Sequence, residues 1–73
     1  MEALRYIAER GRERFEIVEG CGEGFYVVRY VGGVSTHDYL QPTALIAKQC
    51  AEKLWGVSPS TWREPIAGET ATN

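Results

Sequence analysis

The segment FYVVRYV, residues 25–31, is followed by Gly32-Gly33 and then by VSTHDYL, residues 34–40. Two runs rich in β-branched and aromatic residues, joined by two glycines, constrain the fold more than any other feature of this chain. Both central positions of a type I′ turn need positive φ, and glycine supplies it without strain. The spacing predicts an antiparallel hairpin in which Val31 faces Val34, Val28 faces His37 and Tyr26 faces Tyr39. RFEIVE, residues 14–19, alternates and reads as a preceding strand, with GCGEG, residues 20–24, as the connecting turn. A two-residue turn at Gly22-Glu23 sets Glu16 opposite Arg29 and Ile17 opposite Val28. That register is preferred because it places opposite charges across the strand pair.

Both flanks have helical patterns. EALRYIAER, residues 2–10, consists of strong helix formers with Ala3, Leu4, Ile7 and Ala8 on one side, and Gly11 ends it. Further on, Pro42 suits a first helical position and TALIAKQCAEKLW continues to Gly56, a left-handed cap followed by apolar Val57. Ala44, Ile46, Ala47, Cys50, Ala51, Leu54 and Trp55 share one side of that helix. Ser58 caps one further turn that carries Trp62 onto the body. The expected fold class is α+β: a three-stranded antiparallel β-meander with a C-terminal helix packed on one face and a short N-terminal helix. Residues 1–65 form one small domain, and IAGETATN, residues 66–73, reads as a disordered C-terminal tail.

The predicted registers give the sheet two unlike faces. One carries Phe15, Ile17, Tyr26, Val28, Tyr30, Ser35, His37 and Tyr39, and the alanine-rich helix is expected on it, because small residues opposite large ones let the layers close. The other carries Phe25, Val27, Arg29, Val31, Val34 and Leu40 beside Arg14, Glu16 and Asp38. That is too much apolar surface for a bare face, so either the N-terminal helix or a second chain should cover it.

Composition narrows the chemistry. At 73 residues, with 44% apolar and 25% charged side chains, this is an ordinary globular composition with a core only marginally large enough. One histidine and two cysteines without paired spacing do not make a metal site, although a Cys21–Cys50 disulfide stays open. No leader and no membrane-spanning run is visible, which makes the cytoplasm the expected location. The net charge is −2, and Arg5, Arg10, Arg12 and Arg14 are matched by Glu2, Glu9, Glu13 and Glu16. That region reads as a self-neutralising surface, and neither nucleic acid nor membrane is an expected partner.

No catalytic group emerges. His37 and Asp38 leave the strand on opposite faces, which denies them a dyad. Cys50 lies on the buried stripe of the helix, and Cys21 in its turn has no evident base. GCGEG leads into a strand, whereas a phosphate loop must lead into a helix. No catalytic residue, metal or cofactor is assigned, and the chain is not expected to be an enzyme. The expected function is a small non-enzymatic protein-interaction module, an inhibitor or accessory subunit that binds another protein, with a homodimer as one form. Its expected contact residues are Phe25, Val27, Arg29, Val31, Val34, Leu40 and Trp62. The second reading is single-stranded nucleic-acid binding through an exposed face bearing Tyr26, Arg29, Tyr30 and Tyr39.

Overall fold

In the computed structural model, which describes residues 3–72, four strands of eight residues follow one another in a single antiparallel meander. They are β1 (Ala3–Arg10), β2 (Glu13–Gly20), β3 (Gly24–Val31) and β4 (Val34–Gln41), in spatial order β1-β2-β3-β4. Helix α1 (Ala44–Trp55) and a 3₁₀ turn (Pro59–Thr61) complete the regular structure. Residues 1, 2 and 73, the outer ends of the expected N-terminal helix, domain and tail, lie outside the described residues.

The sheet therefore has four strands, and the segment expected as an N-terminal helix is β1. Its register against β2 slips between Leu4 and Tyr6, leaving Arg5 as an extra residue. Leu4 opposes Val18 and Ile7 opposes Glu16, so Leu4 and Ile7 stand on the same face although three residues apart. A three-residue spacing of apolar side chains is also the mark of a helix, and one bulge is enough to imitate it. Gly11, at φ 60, does not cap a helix; with Arg12 it forms the two-residue connection from β1 to β2.

The Gly32-Gly33 turn forms as its sequence predicts, with both glycines at positive φ and Val31 paired with Val34. Elsewhere β3 is displaced by one residue relative to the expected register against each neighbour. On the β2 side the loop holds three residues, Cys21, Gly22 and Glu23, so Gly20 pairs with Gly24, Ile17 with Val27 and Glu16 with Val28. Gly24 is required there, because it sits at φ 127 and a Cβ would lie 2.5 Å from the Gln41 carbonyl oxygen. On the β4 side an irregularity between Arg29 and Tyr30 makes Thr36 the extra residue, and His37 moves opposite Arg29. The Thr36 hydroxyl holds this bulge, donating to the Arg29 carbonyl and accepting from Arg29 Nη1, both at 3.2 Å.

These two slips turn β3 over, with Val34 and Ser35 ahead of the bulge, and leave β2 and His37–Gln41 of β4 on the expected faces. The face under α1 combines Phe15 and Ile17 with Phe25, Val27, His37 and Tyr39. The expectation that Tyr26, Val28 and Tyr30 would lie under the helix is thereby corrected. Ala8, Phe15, Ile17 and Val27 meet Ala47, Ala51 and Val57 in the core, so small helix residues do oppose larger sheet residues. The expected Glu16–Arg29 pairing is also replaced. Arg29 takes Glu13 instead, through Nε at 3.0 Å and Nη2 at 2.8 Å.

Helix α1 starts two residues after Pro42, where the Thr43 side chain accepts from the Ile46 N–H at 3.1 Å. It ends as predicted. Gly56 is left-handed, its N–H donates to the Glu52 carbonyl at 2.9 Å, and buried Val57 donates to Ala51. The Ser58 side chain caps the 3₁₀ turn, and Trp62 packs against the core.

Past Trp62 the chain rounds the β1 edge. Ile7 and Arg63 exchange backbone hydrogen bonds of 2.8 Å in both directions, so Arg63 closes that edge like a one-residue strand. Residues 64–72 then cross the face opposite α1, where Ile7, Val18, Val28 and Tyr30 are buried. Thr72 ends this path on Glu16, which has 0% of its surface exposed. The Glu16 carboxylate accepts the Thr72 N–H at 3.1 and 3.2 Å, the Thr72 hydroxyl, and Arg14 Nε at 2.7 Å. Glu16 is thus no member of a solvated charged surface, and the second face is covered by the chain's own C-terminal segment, not by an N-terminal helix.

Removing one partner of a buried ion pair leaves the other uncompensated and costs about 3–5 kcal/mol. Because Arg14 keeps some solvent, Glu16→Ala should fall at the lower end, about 3 kcal/mol. Thr72→Ala, which loses one hydrogen bond to a charged group, should cost about 1.5 kcal/mol. Urea denaturation of both variants measures this; equal stability of Glu16→Ala and the parent would contradict it.

Candidate functional site

Seven large apolar side chains are exposed among the described residues, and six of them lie on β4 and α1. Val34 (66%), Tyr39 and Leu40 (49%) belong to β4, and Leu45 (65%), Ile46 and Leu54 (52%) to α1; Ile66 is the seventh. Strand β4 is also the sheet edge without a strand partner or bridge among the described residues, whereas β1 is bridged by Arg63 at Ile7. Unpaired edges are ordinarily protected by lysine, proline or a bulge. The Thr36 bulge interrupts β4, but VSTHDYLQ carries one formal charge, Asp38, and neither lysine nor proline.

The helix rises beside this edge. Ile46, Cys50 and Leu54 recur at four-residue spacing and so share one side of α1. Gln41, the last residue of β4, donates from Nε2 to the Cys50 sulfur at 3.7 Å, which fixes that side of the helix above β4. Ile46, Gln49, Cys50, Lys53 and Leu54 line an open concavity of about 480 Å³. On the other side of the helix, Lys48 Nζ stands 3.8 Å from the centre of the Tyr6 ring.

Aromatic rings join the edge to the helix end. His37 and Tyr39 stack at 6.2 Å with planes 12° apart, and Trp55 lies 6.0 Å from His37 and 6.1 Å from Tyr39. Trp55 also meets Phe15 at 5.6 Å, so it seals the helix end against the sheet. His37 accordingly sits near Tyr39 but away from Tyr26, whose hydroxyl donates to Glu23 at 3.1 Å. Its Nδ1 lies 3.1 Å from the Thr36 hydroxyl, and Asp38 points to the opposite face.

The residues expected at an interface are dispersed. Val27 is fully buried under α1, Phe25 is half-buried beside it, and Val31 is half-buried near the hairpin end. Arg29 is committed to Glu13 and Thr36. Trp62 is half-buried, and its enclosed indole N–H has no hydrogen-bond partner among the described residues. Only Val34 and Leu40 belong to the exposed apolar surface, and Tyr39, Leu45, Ile46 and Leu54 were not anticipated there. Leu45 lies outside the side that Ala44, Ile46, Ala47, Cys50, Ala51, Leu54 and Trp55 share. The tyrosines and arginine of the alternative reading do not share an exposed face, since Tyr30 is buried and Arg29 lies on the other side of β3.

The titrating groups serve the C-terminal segment. Glu69 is held down to about 2, first by the Arg63 guanidinium, whose two nitrogens donate to its oxygens at 2.9 Å, then by the Ile66 N–H and more distantly by Arg14. Hydrogen bonds from Arg10 and Arg29 lower Glu13 likewise. Burial raises the Cys50 thiol, which disfavours a nucleophilic thiolate, and Cys21 and Cys50 are both free thiols. Among the described residues no cluster of three or more His, Cys, Asp or Glu could hold a metal, and no helix is long and apolar enough to cross a membrane.

Comparison with known protein families, with curated proteins and with solved structures finds no match to this chain.

A carboxylate whose folded pKa is depressed contributes stability that is complete above its unfolded pKa, about 4.3 for Glu. For Glu69 that contribution should be lost as pH falls from there towards about 2. Carbon-detected NMR titration of the Glu69 carboxyl should show its midpoint near the lower value, and Glu69→Gln should flatten the acid limb of the stability profile. A midpoint at the ordinary Glu value would contradict the clamp.

Proposed function

We propose that this chain is a small non-enzymatic protein-interaction module whose binding surface is the β4 edge together with the exposed side of α1. The observation that carries this reading is the concentration of six exposed large apolar side chains on those two adjacent elements. Scattered apolar residues are normal on a surface, but Tyr39, Ile46 and Leu54 on the α1 side of an unpaired strand offer both apolar burial and main-chain hydrogen bonds. An extended segment added to β4 gains a ladder of backbone bonds, and side chains from it reach Tyr39, Ile46 and Leu54. The partner is a protein. Chemistry on a small molecule has no support in the arrangement of His37, Asp38, Cys21 or Cys50.

The surplus apolar surface expected on the second sheet face is absent: Phe25 and Val27 lie on the α1 face, and residues 64–72 lie across the face that carries Val18, Val28 and Tyr30. The reading now rests on a different surface. Its test is direct. The native chain should either bind a hydrophobic dye as a monomer or hide the surface by associating. A Leu40→Lys, Leu54→Lys double variant should lose both behaviours while melting within a few degrees of the parent, since both side chains are exposed. A native chain that stays monomeric and binds no dye would contradict the proposal.

A further inference from the structure

We infer that the occupant of the β4 edge is a second copy of this chain, joined by antiparallel pairing of the two β4 strands about a twofold axis at Tyr39. The inference rests on the reading of β4 and α1 as a binding surface and assigns its partner. The first argument is closure. A sheet with two open edges can add copies indefinitely, but here the Arg63 bridge blocks the middle of the β1 edge at Ile7, which leaves β4 as the edge without a bridge among the described residues. Pairing β4 with β4 therefore consumes both free edges and stops at two chains.

The second argument is register. Paired residues must share a face, and the bulge at Thr36 breaks the alternation, so the regular part available for pairing is His37–Gln41. A twofold at Asp38 sets the strand's single formal charge against itself, which like charges directly opposite disfavour. A twofold at His37 forces pairing past the bulge. A twofold at Tyr39 does neither: it places His37 opposite the partner's Gln41, Asp38 opposite the partner's Leu40 and Tyr39 opposite the partner's Tyr39.

The third argument is the fit of the helices. Helix α1 lies chiefly over β3. Across a β4–β4 seam the two β3 strands stand three strand spacings apart, about 14 Å. Closely packed helices stand about 8–10 Å apart, so the gap left is about the reach of one aliphatic side chain. Ile46 and Leu54, on the side of α1 above β4, are in place to fill it over the paired Tyr39 rings. One seam thereby covers Tyr39, Ile46 and Leu54, while Leu40, on the opposite face, meets the partner's Asp38.

Sedimentation of the native chain and oxidative cross-linking test this together. The native chain should sediment at twice its 8.2 kDa mass. In a Cys21→Ser background, Tyr39→Cys should be trapped as a disulfide-linked dimer, because directly opposed cross-strand Cβ atoms lie about 4.5–5.5 Å apart. His37→Cys should not be, since its two copies stand four residues out of register, about 13 Å. A native chain that is monomeric at its highest soluble concentration overturns the second copy. If that monomer binds hydrophobic dye, the broader interaction reading stands; if it binds none, both fall. A dimer cross-linked through His37→Cys but not Tyr39→Cys overturns the Tyr39 axis.

Discussion

A carboxylate buried in the middle of a sheet face is costly unless every lone pair is engaged, and Glu16 is such a group. Its partners come from Arg14 on its own strand and from Thr72, far away in sequence. That contact fixes where Thr72 must lie. With Arg63 bonded to Ile7 at one end and Thr72 bonded to Glu16 at the other, residues 64–72 have little choice but to cross the face opposite α1. Glu69, drawn to Arg63 and Arg14, holds the middle of the crossing. A small domain with one twelve-residue helix gains in this way a second covered face that the helix cannot provide.

The same wrapping makes the molecule asymmetric at its edges. One sheet edge is occupied by Arg63, while β4 remains open, lightly charged and flanked by Ile46 and Leu54. The proposed interaction surface follows from that difference. The His37, Tyr39 and Trp55 rings bind the α1 side of the open edge to the end of α1. Every interaction argued for the protein depends on the C-terminal segment having taken the other edge and the other face.

Local features were legible in the sequence where one residue type has one geometric use. Gly32-Gly33 gave its turn, and Gly56 with Val57 gave the helix end. The assignment of faces was not legible, because it depends on counting residues between strands. One extra loop residue before β3 and one bulged residue, Thr36, after it each shifted a register by one, and a shift of one exchanges every side chain on β3 between faces. Arg5 did the same to β1 and gave it a helical spacing. Nothing local to Glu16 or Thr72 announces their contact, which spans most of the chain. The exposed surface was missed for a related reason: α1 buries Ala47 and Ala51 alone, so the apolar stripe read from its wheel is only partly turned inward, and Ile46 and Leu54 stay outside.

Residue-resolved amide hydrogen exchange on the parent chain and on Glu16→Ala tests the role of the buried carboxylate most directly. In the parent, the Thr72 and Ile7 amides should be protected well above coil rates, because one donates to Glu16 and the other to the Arg63 carbonyl. In Glu16→Ala, under conditions where β2 and β3 stay folded, Thr72 should exchange at the coil rate and Ile7 should lose part of its protection. A Thr72 amide that already exchanges at the coil rate in the parent would contradict the account.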